Sequence, residues 1–252
     1  MNDSPSPRIL DDVAEEGQRL ASEACARDLG LRLLGGVAVW HHCPSARIPP
    51  LKRPYGDADF VGRSSERKRI TAFMEEEGYE ADRMFNALHG ATRLNFHDPA
   101  RDRPLDVLLD RFVMAHELDL RDSFSSDALT ISLADLLLSK LQVVSINEKD
   151  VKDLLALLVD HGFGADDISL EHILSVTRND WGLEHTSHRT LATLNEMAGE
   201  VGLDAGAMAR VRARVAELSA ALDAAPKGAR WKMRARIGER VKWYEEPEEA
   251  RA

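Results

Sequence analysis

Apolar and polar positions recur at helical spacing between residues 8 and 28, which predicts an amphipathic helix. Leu31 to Trp40 is almost continuously apolar and predicts a buried strand broken by Gly35-Gly36. A loop follows over residues 43–56, punctuated by Pro44, Pro49, Pro50 and Pro54. Asp57 to Val61 reads as a short strand. Ser65 is placed to cap a helix whose apolar face is Ile70, Phe73 and Met74 and which ends at Gly78. Arg93–His97 and Leu105–Leu109 read as two strands around a polar turn, Asp98 to Pro104. Short strands mixed with helices predict an α/β or α+β first domain.

Near residue 128 the pattern changes, and nearly everything after it has helical periodicity. Ser132-Leu-Ala-Asp135 resembles a capping box opening a helix with Leu133, Leu136, Leu137, Leu141 and Val144 on one stripe. A second helix is predicted from about Glu148 to Asp160, ended at Gly162, with further helices over 166–178, 186–199, 204–222 and 228–243. In the last of these, Met233, Ile237, Val241 and Tyr244 make one apolar face. The expected organisation is α+β: a core over residues 1–128 and a helical C-terminal domain over 129–252.

Composition narrows the class. The chain has 252 residues, 44% hydrophobic and 30% charged, which fits an ordered globular protein rather than a disordered, collagenous or disulfide-framed one. No run approaches the 18 or so apolar residues of a membrane span. The first residues are polar and lack the apolar core of a signal peptide, and Cys25 and Cys43 form no CxxC, so a reduced, cytoplasmic setting is expected. The net charge of −10 disfavours coating of nucleic acid by the whole molecule. The charge is uneven, however. Seven basic residues between Pro226 and Lys242 face only Glu239, so that segment carries +6 and the remainder −16, before an acidic run of Glu245, Glu246, Glu248 and Glu249.

Candidate chemistry centres on carboxylates. Asp57 and Asp59, two apart on a strand, point to the same face. Asp106 interrupts the apolar run Leu105-Asp-Val-Leu-Leu, where burial is costly unless something neutralises it. Three carboxylates on one face repel one another, and divalent cations with oxygen ligands would remove that repulsion. Taken alone, Asp-x-Asp is more often the mark of a turn or a solvated edge; the set with Gly35-Gly36 and Asp106 is what changes the reading. Lys140 lies on the apolar stripe of its helix, seven residues after Leu133 and four before Val144. An inward lysine either snorkels to solvent or meets an anion. Asp150 and Asp153 are helix-face neighbours accompanied by Lys149 and Lys152, a pattern that also fits a charged solvent face. His41-His42-Cys43 has no partner cluster at zinc spacing. Trp181, Trp231 and Trp243 read as core or interface residues, and His89 and Arg93 fall near the expected active face.

Gly35-Gly36, Asp57-Ala-Asp59 and Leu105-Asp106-Val107 together resemble the nucleotidyltransferase superfamily, with its polymerase-β-like fold. Leu136-Leu-Leu-Ser-Lys140-Leu-Gln and Asn147-Glu-Lys149-Asp150-Val-Lys-Asp153-Leu resemble the later motifs of its AbiEii-type branch, which supplies toxins of toxin–antitoxin pairs. The resemblance covers about residues 30–160. Asn147 stands where the motif usually opens with Arg, and the segment between Gly36 and Asp57, carrying Arg47, Lys52 and Arg53, is longer than usual for the branch. The approach Arg53-Pro-Tyr-Gly-Asp57 is similar to that of antibiotic nucleotidyltransferases. The resemblance implies a mixed sheet with flanking helices and transfer of a nucleoside monophosphate from a nucleoside triphosphate to a hydroxyl, releasing pyrophosphate. It implies that Asp57, Asp59 and Asp106 hold two Mg²⁺ ions, with Asp106 a candidate base. It also implies that Gly35, Gly36 and Arg53 approach the triphosphate, that Lys140 neutralises phosphate, and that Asp150 and Asp153 support Lys140 or orient the acceptor. The acceptor could be tRNA, a protein or a small molecule, and the partner an antitoxin protein. Two other functions compete: a catalytically silent nucleotide- or partner-binding regulator, and a binding module centred on the basic C-terminal segment.

Overall fold

A computed structural model describes residues 9–124 and 128–246. The first residues of the chain, Glu248 and Glu249 lie outside them. The architecture is α+β, with a five-stranded mixed sheet, flanking helices and a helical C-terminal region. The chain forms two compact units, one built from Met1–His41, Pro54–Phe112 and Asp119–Ile131, the other from His42–Arg53, Val113–Leu118 and Ser132–Ala252.

In the first unit, α1 (Val13–Ala26) leads to β1 (Leu31–Leu34), α2 (Gly35–His42), β2 (Ala58–Gly62), α3 (Arg67–Glu76), β3 (Glu80–Ala81), α4 (Arg83–His89), β4 (Arg93–Asp98) and β5 (Arg103–Leu109). The strand order is β1-β2-β5-β4-β3. The β2–β5 pair is parallel and the other pairs are antiparallel. The β4–β5 turn is closed by Asp98, whose buried carboxylate accepts from Arg103 Nη2 at 2.8 Å. On one sheet face Leu33, Phe60, Val107 and Leu94 line up across four strands, all buried. Helices α1 and α3 cover this face. At Gly17 of α1 an added Cβ would lie 2.9 Å from Val37 Cγ1, 3.2 Å from Leu33 Cδ2 and 3.3 Å from Ala58 Cβ. At Gly62 it would lie 2.6 Å from Ile70 Cδ1 of α3. Because side chains alternate along a strand, Asp59, Asp106, Asn95 and Arg93 occupy the opposite face.

Three local expectations change. Val37–Trp40 continues as α2 rather than as strand, because Gly35 takes φ +68° and turns the chain out of β1. Ser65 does not cap α3; Ser64–Glu66 is a 3-10 turn leading into the helix. The hairpin β6 (Arg111–Val113) and β7 (Glu117–Asp119), together with α4, is an element the periodicity does not reveal.

The second unit is built from α5 (Leu133–Leu141), α6 (Glu148–Asp160), α7 (Leu170–Thr177), α8 (Trp181–Met197), α9 (Ala205–Ala224) and α10 (Ala229–Ile237). Ser132 caps α5 by accepting from Asp135 N, and Asn147 closes a full capping box with Asp150 on α6. The last helix stops at Ile237, where Gly238 takes φ +58°, short of the expected 243. Met233, Ile237 and Val241 are 66%, 44% and 58% exposed, so the apolar stripe of this segment is not buried. No helix among the described residues is long and apolar enough to cross a membrane.

Close packing at Gly17 gives a prediction with opposing terms. On an exposed helix face, replacing Gly by a good helix former gains about 0.8–1 kcal/mol. Here Gly17→Leu must place a side chain where α1 meets β1 and β2. We expect net destabilisation of about 1–3 kcal/mol, read as a lower urea midpoint at unchanged slope.

Candidate active site

The register decides the central geometry. Parallel pairing of β2 with β5 sets Asp59 directly beside Asp106, and antiparallel pairing of β4 with β5 sets Asn95 beside Asp106. Neighbouring strands lie about 4.8 Å apart, so the two carboxylates are close neighbours on one face. Asp57 is exposed and directly precedes β2, which begins at Ala58.

Asp106 is not left to face Asp59 alone. Arg93 grips it in a fork, Nε to Oδ1 at 3.0 Å and Nη2 to Oδ2 at 2.7 Å. Asn95 Nδ2 donates to Oδ1 at 2.8 Å. Asn86 of α4 fixes that strand by accepting from Asn95 N at 2.7 Å and donating to Asn95 O at 3.0 Å. The Arg93 guanidinium also lies 5.8 Å from the Phe85 ring centre. Among the described residues, no three His, Cys, Asp or Glu side chains converge in a metal-holding group. Asp106 is thus held by an arginine fork and an amide.

Gly35 closes the other side of Asp59. Its φ of +68° is a conformation that side chains rarely adopt, and a Cβ there would sit 2.5 Å from Asp59 Oδ2. Gly36 occupies the first turn of α2. The glycine pair thus lets backbone approach a carboxylate.

The remaining candidates meet in the second unit. Arg53 binds Asp153 bidentately, with Nε–Oδ1 and Nη2–Oδ2 both 2.8 Å. Lys140 Nζ lies 2.8 Å from Asp153 Oδ2 and 3.5 Å from Asp150 Oδ1. Asp153 is 2% exposed, so its charge is answered inside the protein by two cations. Burial pushes the Lys140 ammonium down, but Asp153 and Asp150 outweigh it and hold it above its ordinary value. Burial likewise pushes Asp153 up, yet Lys140 and Arg53 hold it below the usual carboxylate range. Lys140 therefore neither snorkels nor stands free; it completes an ion-pair network.

One feature of the second unit escaped sequence reasoning. A cavity of about 610 Å³ is lined by His116, Trp181, Met233, Arg234, Trp243 and their neighbours. Trp181 is covered by His185, stacked at 4.6 Å, and by Arg234 at 4.9 Å from its ring centre. His116 is buried and its pKa lowered by burial, with Nε2 2.8 Å from Thr186 Oγ1. The aromatic residues at 181 and 243 were the available signal.

The chain is similar in structure to an antigenic nucleotidyltransferase-like protein from Paracoccidioides brasiliensis. The identity is 15%, the coverage 88% of this chain and 97% of that chain, and the TM-score 0.41. No protein-family model matches the chain, and no curated protein matches it.

Two measurements test these local arguments. Gly35→Ala should cost about 1–2 kcal/mol from left-handed backbone strain alone, and more because its Cβ meets Asp59; chemical denaturation reads this. The Asp153 network should make stability pH-dependent at both ends. A depressed carboxylate contributes fully above its unfolded value, about 3.9, and loses that contribution as pH falls through its folded value. A raised lysine contributes fully below about 10.4 and loses it as pH rises through its folded value. Asp153→Asn should flatten the acid limb of the urea midpoint against pH and destabilise the protein at neutral pH by about 3–5 kcal/mol.

Proposed function

We propose that the chain is a nucleotidyltransferase that moves a nucleoside monophosphate from a nucleoside triphosphate to a hydroxyl, releasing pyrophosphate. The observation that carries this reading is Asp59 beside Asp106 in register on parallel strands, with Gly35 backbone closing against Asp59. Asp57 and Asp59 offer the hard oxygen ligands that Mg²⁺ prefers, and an ion held by one or two carboxylates completes its shell with water and phosphate oxygens. When bound, such an ion would neutralise the triphosphate and polarise the phosphorus under attack. The protein's own contribution is placement. Asp57 and Asp59 fix the position of charge, while Gly35 and Gly36 bring backbone close enough to meet a phosphate without a side chain intervening. Lys140, Arg53, Asp150 and Asp153 are proposed to stabilise the second unit through their network. As the toxin of a toxin–antitoxin pair, the protein would arrest growth when expressed alone.

A second reading, a nucleotide-binding protein that transfers nothing, is favoured by the Arg93 fork on Asp106. The assay that separates them is incubation of the chain with each nucleoside triphosphate labelled at the α-phosphate, Mg²⁺, and tRNA, protein or small-molecule acceptors. Transfer is expected in the parent. Asp59→Asn should lower it by at least about 100-fold, the scale set by losing a group that positions transition-state charge, while the fold survives. Growth arrest, where the parent causes it, should disappear in the same variant. Binding of nucleotide without label transfer by the parent would select the silent reading.

A further inference from the structure

We propose that the cavity of the second unit is a binding site for a small, neutral heteroaromatic ligand that accepts a hydrogen bond from His116 at one ring edge. Its lining residues belong wholly to the second unit, and none of them enters the nucleotide reading.

Water is a costly occupant of this cavity. Seven large apolar side chains are exposed among the described residues, and three of them, Val113, Met233 and Ile237, line it. Val113 comes from β6, the other two from α10. Apolar surface gathered in a concavity of about 610 Å³ is the ordinary make-up of a small-molecule site. Met233 adds a polarizable thioether, which packs well at the edge of an aromatic ring.

Charge on the walls selects a neutral occupant. The aromatic rings of the lining already carry cations of the chain. Arg234 lies 4.9 Å from the Trp181 ring centre, Arg189 5.5 Å from that of Trp243, and Lys242 4.9 Å from that of Tyr244. A ligand cation would meet like charge at each ring instead of an open ring face. An anion would meet Glu117, Asp180 and Glu245, which also line the cavity.

One polar atom orients the ligand. The Trp243 indole N–H can only donate, and it does so to Thr186 Oγ1 at 3.0 Å. Thr186 Oγ1 in turn lies 2.8 Å from His116 Nε2. With its oxygen accepting from the indole, the hydroxyl donates its hydrogen to Nε2, so the neutral imidazole carries its proton at Nδ1. Burial keeps His116 neutral against the pull of Asp180 and Glu245. Nδ1 has no partner among the described residues, yet it is not a sealed-off polar atom. On a residue that lines the cavity, it is the donor left for a ligand.

Equilibrium dialysis of the full chain at neutral pH against quinoline, the cation N-methylquinolinium and the anion quinaldate tests this. Quinoline is neutral there and presents one ring-nitrogen lone pair. It is expected to bind the parent at least about tenfold more tightly than either ion, because each ion meets like charge on the walls. Met233→Glu places a charge on the apolar wall at an exposed position, so the fold survives. It should weaken quinoline binding at least about tenfold, since the ligand would have to desolvate a carboxylate. His116→Phe keeps a ring and deletes the donor. It should weaken quinoline about two- to tenfold, the worth of one hydrogen bond, and leave the binding of indole, which has no acceptor nitrogen, unchanged. Circular dichroism reports the folding of both variants, and the charge series with Met233→Glu decides the question if His116→Phe does not fold. No binding of quinoline by the parent, an ion bound as tightly as quinoline, or undiminished quinoline binding in Met233→Glu or in folded His116→Phe would each overturn the inference.

Discussion

A carboxylate about one strand spacing from another carboxylate must be answered by positive charge, and the first unit is organised around that requirement. The parallel register of β2 and β5 creates it by placing Asp59 beside Asp106. The antiparallel partner β4 answers it at Asp106 with Arg93 and Asn95. Behind the carboxylates, the centre of the opposite face is apolar, with Phe60 and Val107 completely buried under α1 and α3. The packed face makes the register hard to slip, since a one-residue shift of β2 would turn Asp59 toward the core and Phe60 away from it. Hydrophobic packing on one side of the sheet therefore enforces electrostatic crowding on the other.

The second unit obeys the same rule in a drier setting. Asp153, almost wholly buried, is matched by Arg53 and Lys140. Glu184, also buried, is matched by Lys227 at 2.5 Å and by the Trp231 indole at 3.1 Å. Such pairs add little over apolar replacements but make their partners indispensable, because removing one leaves a charge without solvent. Arg53 and Asp153 are a hundred residues apart in the chain, so this network also pins the long loop after α2.

What was legible in the sequence was periodic. The strands carrying Asp59 and Asp106, the polar turn between β4 and β5, and the long leucine-rich helices follow from alternation and helical spacing. Gly35-Gly36 was legible as a break, though not as the start of a helix, because the apolar run Val37–Trp40 fits either state. The C-terminal segment misled in the opposite way: its four, four and three spacing looked like a docked face, but Gly238 ends α10 and leaves Met233 and Ile237 exposed. Partner choice was not legible. Nothing in Thr-Arg93-Leu announces that this arginine grips Asp106, because that depends on a diagonal relation across two strands.

The diagonal relation also explains why the residue is arginine. A lysine at the same place would bring one point charge to one oxygen, and the other oxygen would still face Asp59. The planar fork engages both oxygens at once. A tethered guanidinium cannot diffuse away as a bound ion can. Three donors on one neighbouring strand hold Asp106 in a single orientation, and each must move before another group can take its place.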